Sequence, residues 1–142
     1  MTRLLLAWLV MLVVSVLNGI ARDVGYGREL DPLVAHQLST LYGTTLLGVV
    51  IGAYARRWPF ASASAAWRAG GLWLALTVAF EFIFFHYVSG HSWEELLVNY
   101  DLTAGRLWPV LLLWIAVAPA VFRRLWRCRE GAMSSRHPPA GN

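Results

Sequence analysis

The chain has 142 residues, of which 58% are hydrophobic, 13% aromatic and only 14% charged, and its mean hydropathy is +0.52. A water-soluble domain of this composition would expose apolar patches large enough to cause aggregation, so the sequence excludes an ordinary soluble domain and favours a membrane protein. All the basic residues are arginines, the net charge is +4, and the arginines stand in short segments between apolar runs. This pattern indicates contact with the lipid bilayer and argues against nucleic acid as a partner.

Four apolar runs predict four membrane-spanning helices, at about residues 4–21, 38–55, 70–88 and 107–122. Each run is close to the roughly 17–25 residues that a helix needs to cross a bilayer. The predicted fold class is therefore all-α, a transmembrane four-helix bundle that comprises residues 1–122. The last run is the shortest, and Trp108 and Trp126 are expected at its two membrane interfaces.

The first run has an alternative interpretation as a cleaved secretory signal peptide. Arg3 supplies a positively charged start, and residues 19–21 form a small-x-small site. Two features argue against cleavage. The apolar stretch is long for a signal peptide, and Asn18 is an unusual residue so close to a cleavage site. We therefore expect the first run to remain as a helix.

Residues 123–142 are predicted to form a basic, disordered cytoplasmic tail. The sequence after Arg129 is rich in Pro, Gly and Ser and offers little apolar surface to bury. Cys128 is the only cysteine of the chain, which excludes an intrachain disulfide and a cysteine-rich metal site.

The distribution of arginines predicts the orientation of the bundle. Nine of the twelve lie on one side of the predicted membrane, whereas Arg22, Arg28 and Arg106 lie on the other. An excess of basic residues marks the cytoplasmic side, so both termini are predicted in the cytoplasm. Six acidic residues fall on the external side, in agreement with this orientation.

The external segment of residues 90–105 is predicted to cover the outer end of the bundle. Ser92 stands three residues before Glu95, which is the spacing of a capping box and predicts a short amphipathic helix at about residues 93–100. Its aromatic and leucine side chains are expected to face the membrane or the bundle. The other external segment, residues 23–35, contains Gly and Pro and is expected to be an irregular loop.

Glu81 is the one carboxylate inside an apolar run. An ionisable residue at membrane depth is unfavourable, so it is by default a hypothesis for a functional site. A guanidinium can satisfy both carboxylate oxygens, and we expect Arg22 as the partner, with Arg106 as the other candidate. Two alternatives remain open: a protonated carboxyl hydrogen-bonded to Asn18 or Thr44, and a polar clamp that only fixes the helices in register.

The polar residues of the predicted helices gather in the outer half of the bilayer or at its outer edge, whereas the inner half is almost wholly apolar. This asymmetry predicts an outward-facing polar pocket. Its candidate binding residues are Asn18, Arg22, His36, Gln37, Glu81, His86, Tyr87, Asp101 and Arg106.

The second helix carries a stripe of residues at four-residue spacing: His36, Thr40, Thr44, Gly48 and Gly52. Residues at this spacing share one helix face. Small residues there allow another helix to approach closely, and the two hydroxyls are expected to hydrogen-bond across the contact. We interpret the stripe as helix packing rather than as a pore or a ligand groove.

No cofactor is predicted, although two alternatives involve the histidines. His36 and His86 are the one pair on predicted helices that suits a haem b with two histidine ligands. A metal ion would recruit these two with His91 and a carboxylate. The sequence has none of the signature spacings of such sites, and it also lacks hydrolase, phosphate-loop and dinucleotide motifs, so no catalytic residue is assigned.

Four segments, NGIAR (18–22), HQLST (36–40), EFIFFHY (81–87) and GRLWP (105–109), resemble small bacterial integral membrane proteins of four predicted helices that carry no assigned function. The resemblance covers about residues 1–122. It implies a multi-pass protein of the bacterial inner membrane and carries over no catalytic residue.

Three function classes follow from these features. We expect a non-enzymatic accessory or binding component that uses its polar pocket for structure, for a small ligand or for a partner, which would be another membrane protein or a second copy of the chain. The alternative is a proton-coupled or small-solute carrier in which Glu81 titrates, with Arg22 and Arg106 as counter-charges. A haem- or metal-dependent membrane oxidoreductase is the third.

Overall fold

The computed structural model describes residues 1–88, 90, 92–98 and 100–134, with side chains described up to residue 129. Within these residues every regular element is a helix, and there is no strand. The elements in chain order are α1 (Thr2–Val24), a 3₁₀ turn (Tyr26–Arg28), α2 (Pro32–Arg57), α3 (Ala63–Ile83) continued by a π-helical turn (Phe84–Val88), the short α4 (Trp93–Val98), a 3₁₀ turn (Leu102–Ala104) and α5 (Trp108–Ser134).

The four long helices have the length and apolar composition that crossing a membrane requires. This confirms the all-helical class and the number of candidate spans. All four helices extend beyond the apolar runs at one end or both. Hydropathy indicates which residues are favourable in lipid, whereas capping residues and helix propensity decide where a helix begins and ends.

The start of α2 illustrates this difference. Asp31 is the N-cap: its Oδ1 accepts hydrogen bonds from the backbone N–H groups of Leu33 at 2.9 Å and Val34 at 3.4 Å. Pro32 occupies the first helical position, where its missing N–H leaves no intrahelical bond unmade. The expected loop of residues 23–35 is therefore shorter than predicted.

The predicted disordered tail is wrong for its first part, because α5 continues without interruption to Ser134. The segment just after Phe122 contains arginine and leucine, which are good helix formers, so the helix outlasts the apolar run. Residues 135–142 lie outside the described residues.

The capping box before α4 is confirmed. The backbone N–H of Ser92 donates to Oε2 of Glu95 at 2.8 Å, and the backbone N–H of Glu95 donates to Oγ of Ser92 at 3.2 Å. The helix ends at Val98, so it is shorter than the expected residues 93–100. Leu96 is buried against the bundle, whereas Leu97 is exposed.

Close helix contacts at glycines hold α5 against its neighbours. A Cβ on Gly70 of α3 would collide with the backbone of Ala116. On α2, a Cβ on Gly48 would lie 3.2 Å from the Trp114 ring, and one on Gly52 would lie 3.0 Å from the Phe122 ring. The small-residue stripe thus packs as expected.

The hydroxyls of that stripe behave differently from the prediction. Thr40 Oγ1 donates to the carbonyl of His36 at 2.9 Å, and Thr44 Oγ1 donates to the carbonyl of Thr40 at 2.7 Å. Each threonine thus satisfies its donor within its own helix, on the carbonyl four residues earlier, and neither bonds across the helix contact.

Helix α1 completes the bundle through indole and amide hydrogen bonds. Trp73 of α3 is fully buried, and its Nε1 donates to the carbonyl of Leu4 at 2.9 Å. Trp8 Nε1 donates to Thr77 Oγ1 at 3.2 Å. Asn18 Nδ2 donates to the carbonyl of Ser39 at 2.8 Å, which joins α1 to α2.

The antiparallel order gives the bundle two chemically different ends. We call the end that holds Val24, Pro32, Val88 and Trp108 the polar end, and the opposite end, with Thr2, Arg57, Ala63 and residue 134, the basic end. Helix α1 buries only Ala7 and Met11, and its exposed side chains between these ends are apolar, as suits a lipid-facing surface.

Candidate functional site

The polar end contains a cavity of about 520 Å³, which lies within the range of roughly 300–1,000 Å³ typical of small-molecule sites. It is bounded by the ends of α1, α2 and α3 and by the segment from α4 to α5. Four of the nine predicted pocket residues line it: Arg22, His36, Glu81 and Arg106. The structure therefore places residues from four different parts of the chain in one site.

Glu81 forms part of the cavity wall and is only 6% exposed. Its Oε2 accepts a 2.7 Å hydrogen bond from the Tyr100 hydroxyl and a 2.9 Å hydrogen bond from Trp108 Nε1. These two donors come from the segment after α4 and from the first residue of α5. The carboxyl group thus joins α3 to the chain that covers the polar end.

The expected pairing of Glu81 with Arg22 is wrong in this structure. Arg22 Nε forms an ion pair at 2.8 Å with Oδ1 of Asp23, its neighbour in sequence. The physical reason is proximity, since Asp23 lies at the wet end of α1, where neither charge has to be buried. Among the described residues, the Arg22–Asp23 contact is the one ion pair.

Asn18 and Thr44, the alternative partners expected for Glu81, are engaged elsewhere. Asn18 donates to the carbonyl and to Oγ of Ser39, at 2.8 Å and 3.0 Å, and the Thr44 hydroxyl donates within α2. Glu81 therefore takes neutral donors, and neither Tyr100 nor Trp108 was identified from the sequence. Both residues combine an apolar ring with a polar donor that needs a hydrogen-bond partner when buried. This combination is the sequence signal that points to them as partners of a buried carboxyl group.

Burial raises the pKa of Tyr100, and its hydrogen bond to the Glu81 carboxyl raises it further. The phenol is consequently held in its protonated form, in which it donates. A donor that cannot readily ionise keeps the contact with Glu81 intact at neutral pH.

Three guanidinium groups, those of Arg22, Arg28 and Arg106, line the cavity together with three carboxyl groups, those of Asp23, Glu81 and Glu95. Arg28 Nε donates to the backbone carbonyl of Asp23 at 3.2 Å, so Asp23 orients two of the three arginines. Within the described part of the chain, Arg106 makes no side-chain hydrogen bond and no ion pair. Its donors are free to meet a ligand.

His36 contributes an imidazole to the same cavity. Its Nε2 is buried and has no hydrogen-bond partner among the described residues. A ring nitrogen in this position either donates or accepts, depending on its tautomer. A ligand that carries a hydrogen-bonding group would satisfy it.

Gln37 lies next to the cavity and connects two parts of the bundle. Its Nε2 donates to the carbonyl of Gly105 at 3.0 Å, which ties α2 to the turn before α5. Gly105 has a φ of +76°, a left-handed conformation that glycine adopts without strain. Gln37 therefore positions the segment that carries Arg106.

The remaining three predicted pocket residues do not line the cavity. The His86 ring stacks on Trp93, with ring centroids 3.9 Å apart, and Tyr87 is 74% exposed. Asp101 caps the turn Leu102–Ala104, where Oδ1 accepts from the hydroxyl and the backbone N–H of Thr103 at 2.6 Å and 2.9 Å. The bond from the Thr103 hydroxyl holds the pKa of Asp101 below its ordinary value.

His36 and His86, the two histidines that the structure describes, have different surroundings, because His36 lines the cavity whereas His86 stacks on Trp93 and does not line it. Among the described residues, no group of three or more His, Cys, Asp or Glu side chains is positioned to hold a metal ion. His91, the third candidate ligand, lies outside the described residues. Binding of haem b or of a metal ion stays an alternative to the prediction of no cofactor.

The arrangement suits recognition of an anion. Asp23 is engaged by Arg22, Glu81 by two neutral donors, and Glu95 by the backbone of Ser92. Arg28 and Arg106 retain N–H donors, and guanidinium groups bind carboxylate and phosphate oxygens through pairs of parallel hydrogen bonds.

No family model, no curated protein and no solved structure matches the chain.

Proposed function

We propose that this protein is a non-enzymatic multi-pass membrane protein that binds a small anionic ligand in the cavity at the polar end. The observation that carries the proposal is the position of Arg106, which lines a cavity with two further arginines and has no acidic partner among the described residues. A partly buried guanidinium without a counter-charge is unfavourable, and an anionic ligand relieves this.

The binding experiment uses the full chain in an uncharged detergent. Thermal shift and calorimetry would be measured with phosphate, sulfate, acetate and succinate, and with an ammonium ion as the cationic control. Arg106→Gln should weaken binding by about tenfold or more, because it removes a charge-assisted pair of hydrogen bonds. Arg68→Gln, which changes an exposed arginine near the basic end, is the matched control. Equal affinity of the Arg106→Gln variant, or no response to any anion, would overturn the proposal.

The proposed location is the bacterial inner membrane, with both termini in the cytoplasm. The arginines near the basic end, Arg3, Arg56, Arg57, Arg68 and those of α5 after Phe122, support this orientation by their excess. The polar-end cavity would then open outward. Fusions of alkaline phosphatase and of a fluorescent protein to the C-terminus test this: a periplasmic C-terminus would reverse the orientation.

A proton-coupled carrier is the second candidate. It is supported by Glu81, a carboxyl group that lies inside a candidate span and also faces the cavity. Glu81→Gln in proteoliposomes should then abolish proton-linked flux of the transported anion, whereas Glu94→Gln, an exposed residue of α4, should not. Unchanged flux in Glu81→Gln would leave Glu81 as a structural clamp.

Two further expectations stay predictions. A haem- or metal-dependent oxidoreductase would be tested by a Soret band and by elemental analysis of the purified protein. Another membrane protein, or a second copy of the chain, as the partner of the bundle would be tested by crosslinking in native membranes.

A further inference from the structure

A second cavity, of about 320 Å³, lies at the basic end between the last turn of α2 and α5. Four arginines line it: Arg56, Arg123, Arg127 and Arg129. None of the described residues that line it is acidic, in contrast to the cavity at the polar end. Four like charges around one cavity repel one another, and an anion would relieve the repulsion.

Local contacts hold several of these arginines in place. Arg123 Nε donates to the carbonyl of Phe60 at 3.3 Å. The guanidinium groups of Arg56 and Arg129 lie over the ring of Trp126, 6.0 Å and 5.7 Å from its centroid. Stacking of this kind leaves the guanidinium N–H groups free, so the cluster is pre-organised for a group with several acceptor oxygens.

The arginine cavity adjoins an apolar groove between α2 and α5. The groove follows Gly48, Gly52 and Phe122, and it shares Arg56 and Trp126 with the cavity. Both helices are candidate spans, so the groove runs along the membrane from the basic end towards its middle.

Two indole donors in the groove lack a partner among the described residues. Nε1 of Trp114 and Nε1 of Trp126 are buried and make no hydrogen bond there. Trp126 stands where the arginine cavity meets the groove. A ligand with an ester or phosphate oxygen at this junction would satisfy its donor.

From this combination we infer that the basic end binds an anionic phospholipid, with its phosphate in the arginine cavity and an acyl chain along the groove. Charge complementarity selects the phosphate, and the adjoining apolar groove selects a ligand with a hydrocarbon chain. A free phosphate would occupy the cavity alone, and a helix of a second copy would occupy the groove alone. The inference rests on membrane insertion but is independent of the ligand at the polar end.

The test measures lipid binding to the purified full chain by native mass spectrometry and by thermal shift. Phosphatidylglycerol should bind saturably and raise the melting temperature, whereas phosphatidylcholine should have little effect. Any response to inorganic phosphate should be the same in the native chain and in the variant with Arg56→Gln and Arg127→Gln, because it would come from the polar end. Arg56→Gln with Arg127→Gln should weaken phosphatidylglycerol binding by about tenfold or more, since each removes a charged donor to the phosphate.

Two variants separate a built site from general surface charge. Arg68→Gln with Arg124→Gln removes the same charge from exposed arginines near that end that do not line the cavity, and should leave binding unchanged. Ala53→Phe fills the groove from an exposed position and should weaken binding without disturbing the core. Each variant is first checked for folding by circular dichroism and size-exclusion chromatography.

Several outcomes would overturn the inference. They are equal binding of phosphatidylcholine, an equal loss in the Arg68→Gln/Arg124→Gln control, full binding by Ala53→Phe, and a response to inorganic phosphate as large as that to phosphatidylglycerol that Arg56→Gln with Arg127→Gln removes. The protein could also form a dimer that Ala53→Phe disrupts and show no response to phosphatidylglycerol. That result would assign the groove to a second copy of the chain and would reject the lipid.

Discussion

The hydroxyl of Tyr100 donates a 2.7 Å hydrogen bond to Oε2 of Glu81, a residue 19 positions earlier in the chain. Trp108 Nε1 donates to the same oxygen at 2.9 Å. Together these bonds explain how a carboxyl group inside an apolar helix is accommodated without an arginine: two aromatic residues each bury a ring and supply a donor. They also fix the segment that delivers Arg106 to the cavity, so the stability of this contact and the shape of the site are coupled.

Replacing Tyr100 by Phe should destabilise the protein by about 1–3 kcal/mol, because a partly buried acceptor loses a short hydrogen bond while the ring is retained. Thermal unfolding in detergent would measure the loss. Tyr87→Phe is the matched control, since Tyr87 is 74% exposed and should tolerate the change. Equal stability of the Tyr100→Phe variant and the native chain would show that the contact contributes nothing to the folded state.

Replacing Trp108 by Phe should also destabilise the fold, and its effect should not add to that of Tyr100→Phe. Both donors serve one oxygen, so removal of the first changes what the second contributes. A double-mutant cycle on unfolding free energies would measure a coupling of roughly 0.5–3 kcal/mol. Strict additivity would mean that the two donors act independently.

Gly70→Ala should destabilise the bundle by roughly 1–3 kcal/mol or more, because overpacking forces helices apart. The added Cβ would collide with the backbone of Ala116, so α3 and α5 would have to separate. Gly71→Ala is the control, because nothing lies within 4 Å of a Cβ there. Melting temperatures of the two variants measure the difference, and equal values would contradict the close α3–α5 approach.

Asp101→Ala should lower the melting temperature of the protein. The melting temperature of the variant should also depend less on pH in the acid range than that of the native chain. The pKa of Asp101 is below its ordinary value of 3.8 in the folded protein, chiefly because the Thr103 hydroxyl donates to it. A carboxyl with a depressed folded pKa contributes stability above its unfolded pKa and loses it as the pH falls through the folded pKa.

Unfolding curves of the native chain and of Asp101→Ala, recorded from neutral pH down through the ordinary carboxyl range, test this prediction. The difference between their melting temperatures should shrink as the pH falls. Glu94→Gln, which changes an exposed carboxylate of α4, controls for the general effect of removing an acidic group. A difference that is constant with pH would show that the cap does not depend on ionisation of Asp101.

The composition of the chain determined its all-helical class and its four candidate spans, because each long apolar run has one stable state in lipid, a helix that satisfies its own backbone. Local spacing likewise determined the capping box of Ser92 and Glu95 and the close packing at Gly48 and Gly52. Such features depend on neighbours within a turn or two of helix, which the sequence displays directly.

Only the tertiary structure decided which residues share the site. The sequence placed Arg22, His36, Glu81 and Arg106 at one end of the bundle, and they do meet in one cavity. It indicated the wrong partner for Glu81, because charge suggested an arginine whereas geometry brought Tyr100 and Trp108 within reach. Which donor reaches a carboxylate depends on the path of a distant segment and on side-chain direction, and these follow from packing rather than from residue type.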